Sequence, residues 1–454
     1  MKSCLRRTVR GAIPAVACIV LSLAAMPGMA QVSKSDRFDE WFIHLIAAGV
    51  RRQPDFNTQR SDVTQARGSL AEARAEFFPR VQLLVDSGED RNVRGDNITH
   101  SRERGQINPQ LALTQLLYDG GAAWGRLRAA RERVAAASLG IEVAANNLAL
   151  QAVQIYFTVL RQREAVKIAE ENLRKVRSVR DKVEGRAAEG RDPRSELSRL
   201  DSRVLEARSQ LTDAQRSLED AVAMYEEFFG SAPGQLRVPQ TYPLHRENVE
   251  EALAYARAHN PELLALRREL EASAADADSA RASMLWPRLS LEASGTAYDA
   301  FGDDGFENRD TYIGLRVAYD VFSGGANVGR ARQASSRHQA ARYALERAER
   351  ALERRLRQAY AAVEARESQA ATVADRMNRD RGAIDDYEEL FLAGRRSLND
   401  LIVAQRDYFT SATLFLDVQL DLNVQRYSVP ALTGELAQYF GIETPQTPSE
   451  SSNP

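Results

Sequence analysis

Cysteine is almost missing from this chain. Its 454 residues hold two, Cys4 and Cys18, and both sit in an N-terminal stretch that reads as a cleaved leader. Lys2, Arg6, Arg7 and Arg10 precede an apolar run from Ile13 to Ala25, and Gly28-Met29-Ala30 places small residues where a signal peptidase needs them. Ala15-Val16-Ala17 stands before Cys18 in place of a leucine-led lipobox, so no lipid anchor is expected there. A mature chain starting near Gln31 then has no thiol, which excludes disulfides and cysteine metal sites. Histidine is nearly as scarce. His44, His100, His245, His259 and His338 lie far apart, without metal-ligand spacing and without a Ser/His/Asp set, so neither a metal, a cofactor nor an enzymatic reaction is expected. Lysine is limited to Lys2, Lys34, Lys167, Lys175 and Lys182, and arginine supplies the remaining cations. Without the leader the chain carries 57 basic against 63 acidic residues, a solvated balance with no nucleic-acid footprint. After the leader, no run approaches the roughly 20 apolar residues that a spanning helix needs. If this exported chain enters a membrane, β-strands must carry it.

What the chain does have is a second copy of itself. Asp119-Gly120-Gly121, Gly190 and Gly230 recur as Ser323-Gly324-Gly325, Gly394 and Gly434, each offset by 204 residues. Upstream, Gln53-Pro54 opens a helical stretch closing at Phe78-Pro79-Arg80, and Asn260-Pro261-Glu262 opens another closing at Trp286-Pro287-Arg288, offset by 207 and 208. Proline is absent from 121–190 and from 325–394, where Ala, Leu, Arg and Glu dominate. Each stretch predicts a helix about 100 Å long. Apolar residues recur at threes and fours, as in Ile168, Leu173, Val176, Val179 and Val183, the pattern of a coiled-coil seam. A shorter returning helix follows each lone glycine, so each half holds a long helical hairpin with its tip at Gly190 or Gly394.

The segments before the double glycines alternate instead. Ile313, Leu315, Val317, Tyr319 and Val321 share one face of a strand predicted over 312–321, with Leu289, Leu291 and Ala293 on its partner over 289–298. Val81, Leu83 and Val85, then Leu111, Leu113 and Leu117, repeat the scheme across a charged loop from Glu89 to Arg104. About ten residues with one apolar face is the length and pattern of a strand crossing an outer membrane. Four strands cannot close a barrel, for which roughly eight are the minimum. Several chains must pool them. Asp119 and Ser323 are expected to cap the long helices, and Gly120, Gly121, Gly324 and Gly325 to allow the strand-to-helix turns.

The expected organisation is a leader over 1–30, a first repeat over 31–230 (β-hairpin 80–118, tip near 190), a linker over 231–247, a second repeat over 248–442 (β-hairpin 288–322, tip near 394) and a disordered tail over 443–454. The glycine tips Gly190 and Gly394, with Leu197 and Leu401 beyond them, are expected to let a partner hairpin approach the backbone closely.

Two strand-hairpin and helical-hairpin repeats, the exits Tyr118-Asp119-Gly120-Gly121 and Phe322-Ser323-Gly324-Gly325, and the tip run Ala393-Gly394-Arg395-Arg396-Ser397-Leu398-Asn399-Asp400-Leu401 together resemble the TolC family of outer-membrane channel-tunnel proteins. The resemblance implies a mainly α fold with transmembrane β: a homotrimer whose twelve strands form one barrel in outer-membrane lipid, continued by a twelve-helix periplasmic α-barrel. It implies a periplasmic adaptor, the membrane fusion protein, and an inner-membrane transporter as partners. By position it gives Asp400 as an aperture ring and Arg396, Glu196 and Ser195 as gate latch. Phe391 stands where the family has a latch tyrosine, and Val403 where a second ring aspartate is expected. Ala431-Leu432-Thr433-Gly434 with Tyr439-Phe440-Gly441-Ile442 leans the resemblance toward type I protein secretion, the alternative being efflux of small toxic molecules. A periplasmic coiled-coil adaptor is the remaining rival, but adaptors lack two amphipathic strand hairpins. Gly324-Gly325-Ala326-Asn327-Val328-Gly329 does not follow the phosphate-loop spacing, which excludes a nucleotide site there.

Overall fold

The computed structural model describes residues 34–90, 104–190, 193–244, 246, 248–300 and 308–443. The leader, the tail beyond 443 and the central parts of both strand-hairpin loops lie outside the described residues. A short helix, α1 (Lys34–Arg52), leads into α2 (Pro54–Ala75), β1 (Arg80–Asp90), β2 (Arg104–Tyr118), α3 (Ala122–Ala188) and α4 (Arg194–Phe229). Then α5 (Val249–His259) leads into α6 (Pro261–Leu285), β3 (Arg288–Ala300), β4 (Asn308–Ala318), α7 (Ala326–Leu392), α8 (Leu398–Thr433) and the single turn α9 (Leu436–Tyr439). The two long helices α3 and α7 each have 67 residues, and the returning helices α4 and α8 each have 36. Both α2 and α6 open on a proline, whose fixed φ and missing N–H suit the first turn. Asn260 adds a side-chain cap on the Leu263 N–H at 3.0 Å.

The four strands form one antiparallel sheet in the order β1-β2-β3-β4. The central β2–β3 pairing sets Leu113 opposite Ala293, and so joins the two repeats. Among the described residues, β1 and β4 are each paired on one side alone. Their apolar residues, Val81, Leu83 and Val85 on β1 and Ile313, Leu315 and Val317 on β4, are exposed. A solvated sheet would not leave such a face uncovered. Where strands meet helices, Phe78, Tyr118, Trp124, Trp286 and Phe322 form an exposed aromatic collar, the composition of a membrane–water interface.

β4 ends at Ala318 and not at Val321. Its partner β3 begins at Arg288 opposite Ala318, directly after Pro287, so Tyr319 and Val321 keep the alternation but, among the described residues, have no neighbouring strand. The helix starts also differ from the sequence expectation. Gly121 and Gly325 occupy the N-cap positions with φ of 90° and 87°, and Asp119 and Ser323 act from two residues upstream. The Asp119 carboxylate accepts from the Ala123 N–H at 2.8 Å and the Ser323 hydroxyl from the Asn327 N–H at 3.2 Å. Finally, α3 does contain a stretch apolar enough by length and composition to span a membrane, with 56% of it buried inside the chain. It is apolar because α3 packs against α1, α2, α4, α6, α8 and α9.

The largest core lies at mid-length of the long helices. Phe42 and Ile46 of α1 pack with Tyr156 and Phe157 of α3, Tyr427 of α8 and Phe440. The linker wraps this core as irregular chain. Tyr156 donates to the Arg237 carbonyl at 2.7 Å and accepts from its N–H at 3.1 Å, and burial pushes its phenol up to about 12. Arg246 ties linker to C-terminus: its guanidinium donates to both oxygens of Glu435, at 2.7 and 3.1 Å, and lies 3.6 Å from the Tyr255 ring centroid. Burial opposes ionisation of Glu435, but hydrogen bonds from Arg246 and Thr433 outweigh it and hold the carboxyl below the usual range.

Candidate functional site

The two helical hairpins end side by side, and the four helices meet in a small apolar cap. Val179 and Val183 of α3, Leu200 of α4, Phe391 of α7, and Leu398, Leu401 and Ile402 of α8 form one buried cluster with Tyr387 against it. The second tip closes α7 with a Schellman turn. The Arg395 N–H donates to the Leu390 carbonyl at 2.8 Å and the Gly394 N–H to Phe391 at 2.9 Å, with Gly394 at φ 71°, a conformation that favours glycine. Gly190, at φ 75°, turns the first tip.

α8 then starts from a capping box. The Ser397 hydroxyl accepts from the Asp400 N–H at 3.2 Å, and the Asp400 carboxylate accepts from the Ser397 N–H at 3.4 Å. Arg396 lies 3.7 Å from the same carboxylate and 5.0 Å from the centroid of the Tyr387 ring. Asp400 and Arg396 are therefore brought together, within one chain, at the head of α8.

The other residues divide. Ser195 is exposed and Glu196 half-buried in the first turn of α4, and among the described residues Glu196 makes no ion pair with Arg396. Leu197 is half-buried, whereas Leu401 is fully enclosed at 0% exposure. The Leu401 side chain is thus a packing group that presents nothing to a partner, a correction to its expected docking role. Val403 is exposed. Phe391, read from sequence as a latch residue lacking its hydroxyl, faces the cap interior, with the Arg186 guanidinium 4.9 Å from its ring centroid.

Sequence reasoning missed Arg186 and Lys182. Arg186 donates to the Phe391 and Leu392 carbonyls at 3.2 and 3.1 Å, satisfying two carbonyls at the end of α7, and Lys182 pairs with Glu388. Both belong to α3 and grip α7, so they tie the two tips to each other. The available signal was a basic residue in the last turn of a long helix. Nothing in the sequence says which helix end it serves.

At the opposite end, the strand-to-helix corners differ between halves. Arg126 Nη2 lies 2.5 Å from Glu76 and 3.1 Å from the buried Asp119, bracing the first corner. Gly120, at φ 74°, would bring a Cβ within 2.4 Å of Trp286. Gly121, Gly324 and Gly325 also have positive φ and face open space.

A family model described as outer membrane efflux protein matches residues 46–228 and 252–435, one match in each half. The chain is similar to the outer membrane efflux protein BepC of Brucella suis biovar 1 (strain 1330), with 23% identity over 434 residues, 95% of this chain and 92% of that protein. It is also similar to the alkaline protease secretion protein AprF of Pseudomonas aeruginosa, with 22% identity over 408 residues, 87% of this chain and 82% of that protein. In fold it matches the Campylobacter jejuni CmeC outer membrane channel with a TM-score of 0.79 at 15% identity, over 94% of each chain.

Proposed function

The chain belongs to the outer membrane efflux protein family, and from that premise we propose that three copies form the exit duct of a tripartite type I secretion machine. As a channel-tunnel of the TolC type it resides in the outer membrane and extends into the periplasm. In the proposal, an inner-membrane transporter and a periplasmic adaptor hand protein cargo to the helical tips, and the cargo leaves through the barrel. One observation carries the duct reading: a four-stranded sheet, open at both edges and apolar on its exposed side, runs directly into helices of 67 residues. Such a sheet is stable in lipid only when further strands close it, and a helix of that length reaches about 100 Å beyond it. The tips, with Gly190, Gly394 and Leu197 at the surface, are the adaptor end, and Asp400, Arg396, Ser195 and Glu196 form the aperture and latch.

Protein cargo is supported by the likeness to a protease secretion protein. The C-terminal run 431–442 adds nothing to it, because Leu436, Ala437, Phe440 and Ile442 are core residues whose identities packing explains. Small-molecule efflux is the second reading, favoured by the likeness to BepC over 95% of the chain. Deletion in the native bacterium tests both. Loss of an extracellular protein with unchanged susceptibility to toxic compounds is the expected result; sensitisation with an unchanged secreted proteome would assign efflux instead.

A further inference from the structure

Each long helix needs a neighbour on two sides, and among the described residues α3 finds both while α7 does not. α3 packs between α2 and α6, while α7 has α6 on one side and α2 has α3 on one side. The repeat therefore contains a template for the missing contact. Positions on α3 map to α7 by adding 204, and positions on α6 map to α2 by subtracting 207, the offset that pairs Pro261 with Pro54 and buried Leu263 with buried Phe56.

The α3–α6 seam is tight and charged. A Cβ on Gly125 would lie 2.7 Å from Ser279 Cβ and 3.0 Å from the Ala275 carbonyl. Arg126 Nη1 is 3.5 Å from Ser279 Oγ, and Arg133 pairs with Asp276 and has Glu269 4.0 Å from its Nε; Asp276 maps to Ser69 on α2, so the acid at the Glu269 position is the one this register keeps for the second-half arginine. On α7 the matching residues are Gly329, Arg330 and Arg337, so the glycine and both arginines recur. On α2, Glu269, Ala275 and Ser279 become Asp62, Gly68 and Glu72. All six are exposed in the chain, and a Cβ on Gly68 or Gly329 would meet nothing within 4 Å. The first-half arginine has its own carboxylates, Glu76 and Asp119. In the second half those positions hold Ser283 or Met284, and Ser323, none of them charged. Among the described residues, Arg330 reaches only the Asn327 amide, at 2.9 Å.

We infer that α7 of one copy docks on α2 of a second copy in the register of the α3–α6 seam, with Gly329 permitting close approach, Arg330 paired to Glu72 of the partner subunit and Arg337 paired to Asp62 of the partner subunit. The inference rests on the proposed trimer and specifies its seam. The Glu72 position, serine in the internal seam, supplies the carboxylate that the second-half arginine lacks.

Two experiments on the full-length protein in detergent test it. Arg330→Glu should lower the SDS concentration at which the trimer dissociates, and adding Glu72→Arg should return it to the parent value. Because residues 31–454 contain no cysteine, Gly329→Cys with Glu72→Cys should give a covalent trimer under mild oxidation, with neither single variant doing so. A trimer by light scattering that shows neither charge-swap rescue nor crosslinking overturns this register while leaving the trimer intact. A monomeric parent protein overturns the trimer itself.

Discussion

Arg186 fastens the tip without a hydroxyl at position 391. Its guanidinium serves the last carbonyls of α7 and the face of Phe391, so a phenylalanine at position 391 is compatible with a fastened tip. An exposed cation–π contact contributes about 0.5–1 kcal/mol and a cation at a helix C-terminus about 0.3–1 kcal/mol. Arg186→Gln is therefore expected to loosen the tip by roughly 1–2 kcal/mol without changing the global unfolding temperature. Hydrogen exchange should show about ten-fold faster exchange across 385–400 and unchanged exchange near Tyr156 and Tyr427. Equal exchange across the tip would leave Arg186 without this role. At this scale the sequence was only partly legible. The spacing of Ser397 and Asp400 is readable as a helix start, since capping needs only local chain. Arg186 was not, because its partners are 205 and 206 residues away and are backbone carbonyls, which leave no trace in side-chain chemistry.

Helical hairpins were the most legible elements, because a coiled seam repeats its apolar spacing over many turns and the glycine tips mark the reversal. β4 was misplaced by its own alternation: the period of two continues through Tyr319 and Val321, but a strand ends where its partner does. α3 shows the converse, apolar enough to resemble a membrane span because six elements bury it. Gly394→Trp puts a large side chain at a left-handed position that projects into open space. It should abolish export while the trimer still assembles, and Gly394→Asn, which tolerates that conformation, should retain export. Normal export by the tryptophan variant would remove the tip from the adaptor contact. The clasp between linker and C-terminus responds to pH. Glu435 ionises more readily folded than unfolded, so its contribution is complete above the ordinary carboxylate value of 4.5 and is lost as pH falls through the lower folded value. The unfolding temperature of Glu435→Gln should lie below that of the parent at pH 7, by the equivalent of about 1–2 kcal/mol, and the gap should close below about pH 4.5. A gap constant with pH would show that packing, not charge, holds the clasp.

For the whole molecule, the decisive constraint is that the described residues of a single chain leave β1, β4, α2 and α7 each without a neighbour on one side. Those vacancies are legible in sequence only as a strand count too small to close, since nothing local states which surface meets which. In the proposed trimer, light scattering in detergent should give three chains, and a stable soluble monomer would refute the architecture. Threefold symmetry also multiplies small forces at the tips. Three Asp400 carboxylates near one axis would repel each other and attract cations, and in each chain Arg396, 3.7 Å away and resting on Tyr387, offsets that charge. An exposed pair contributes about 0.2–1 kcal/mol, but all three act on one concerted opening, so together they bias the aperture by roughly 0.6–3 kcal/mol. Arg396→Ser should raise single-channel conductance in planar bilayers by releasing this bias. Asp400→Ala should weaken block by divalent cations added from the tip side, and should also cost about 0.5–1 kcal/mol through the lost capping box. Asp400→Asn, whose Oδ1 can still accept from the Ser397 N–H, separates the two effects: it should restore stability but not cation block. Cation block unchanged in both variants would mean that Asp400 only starts α8 and does not line the aperture.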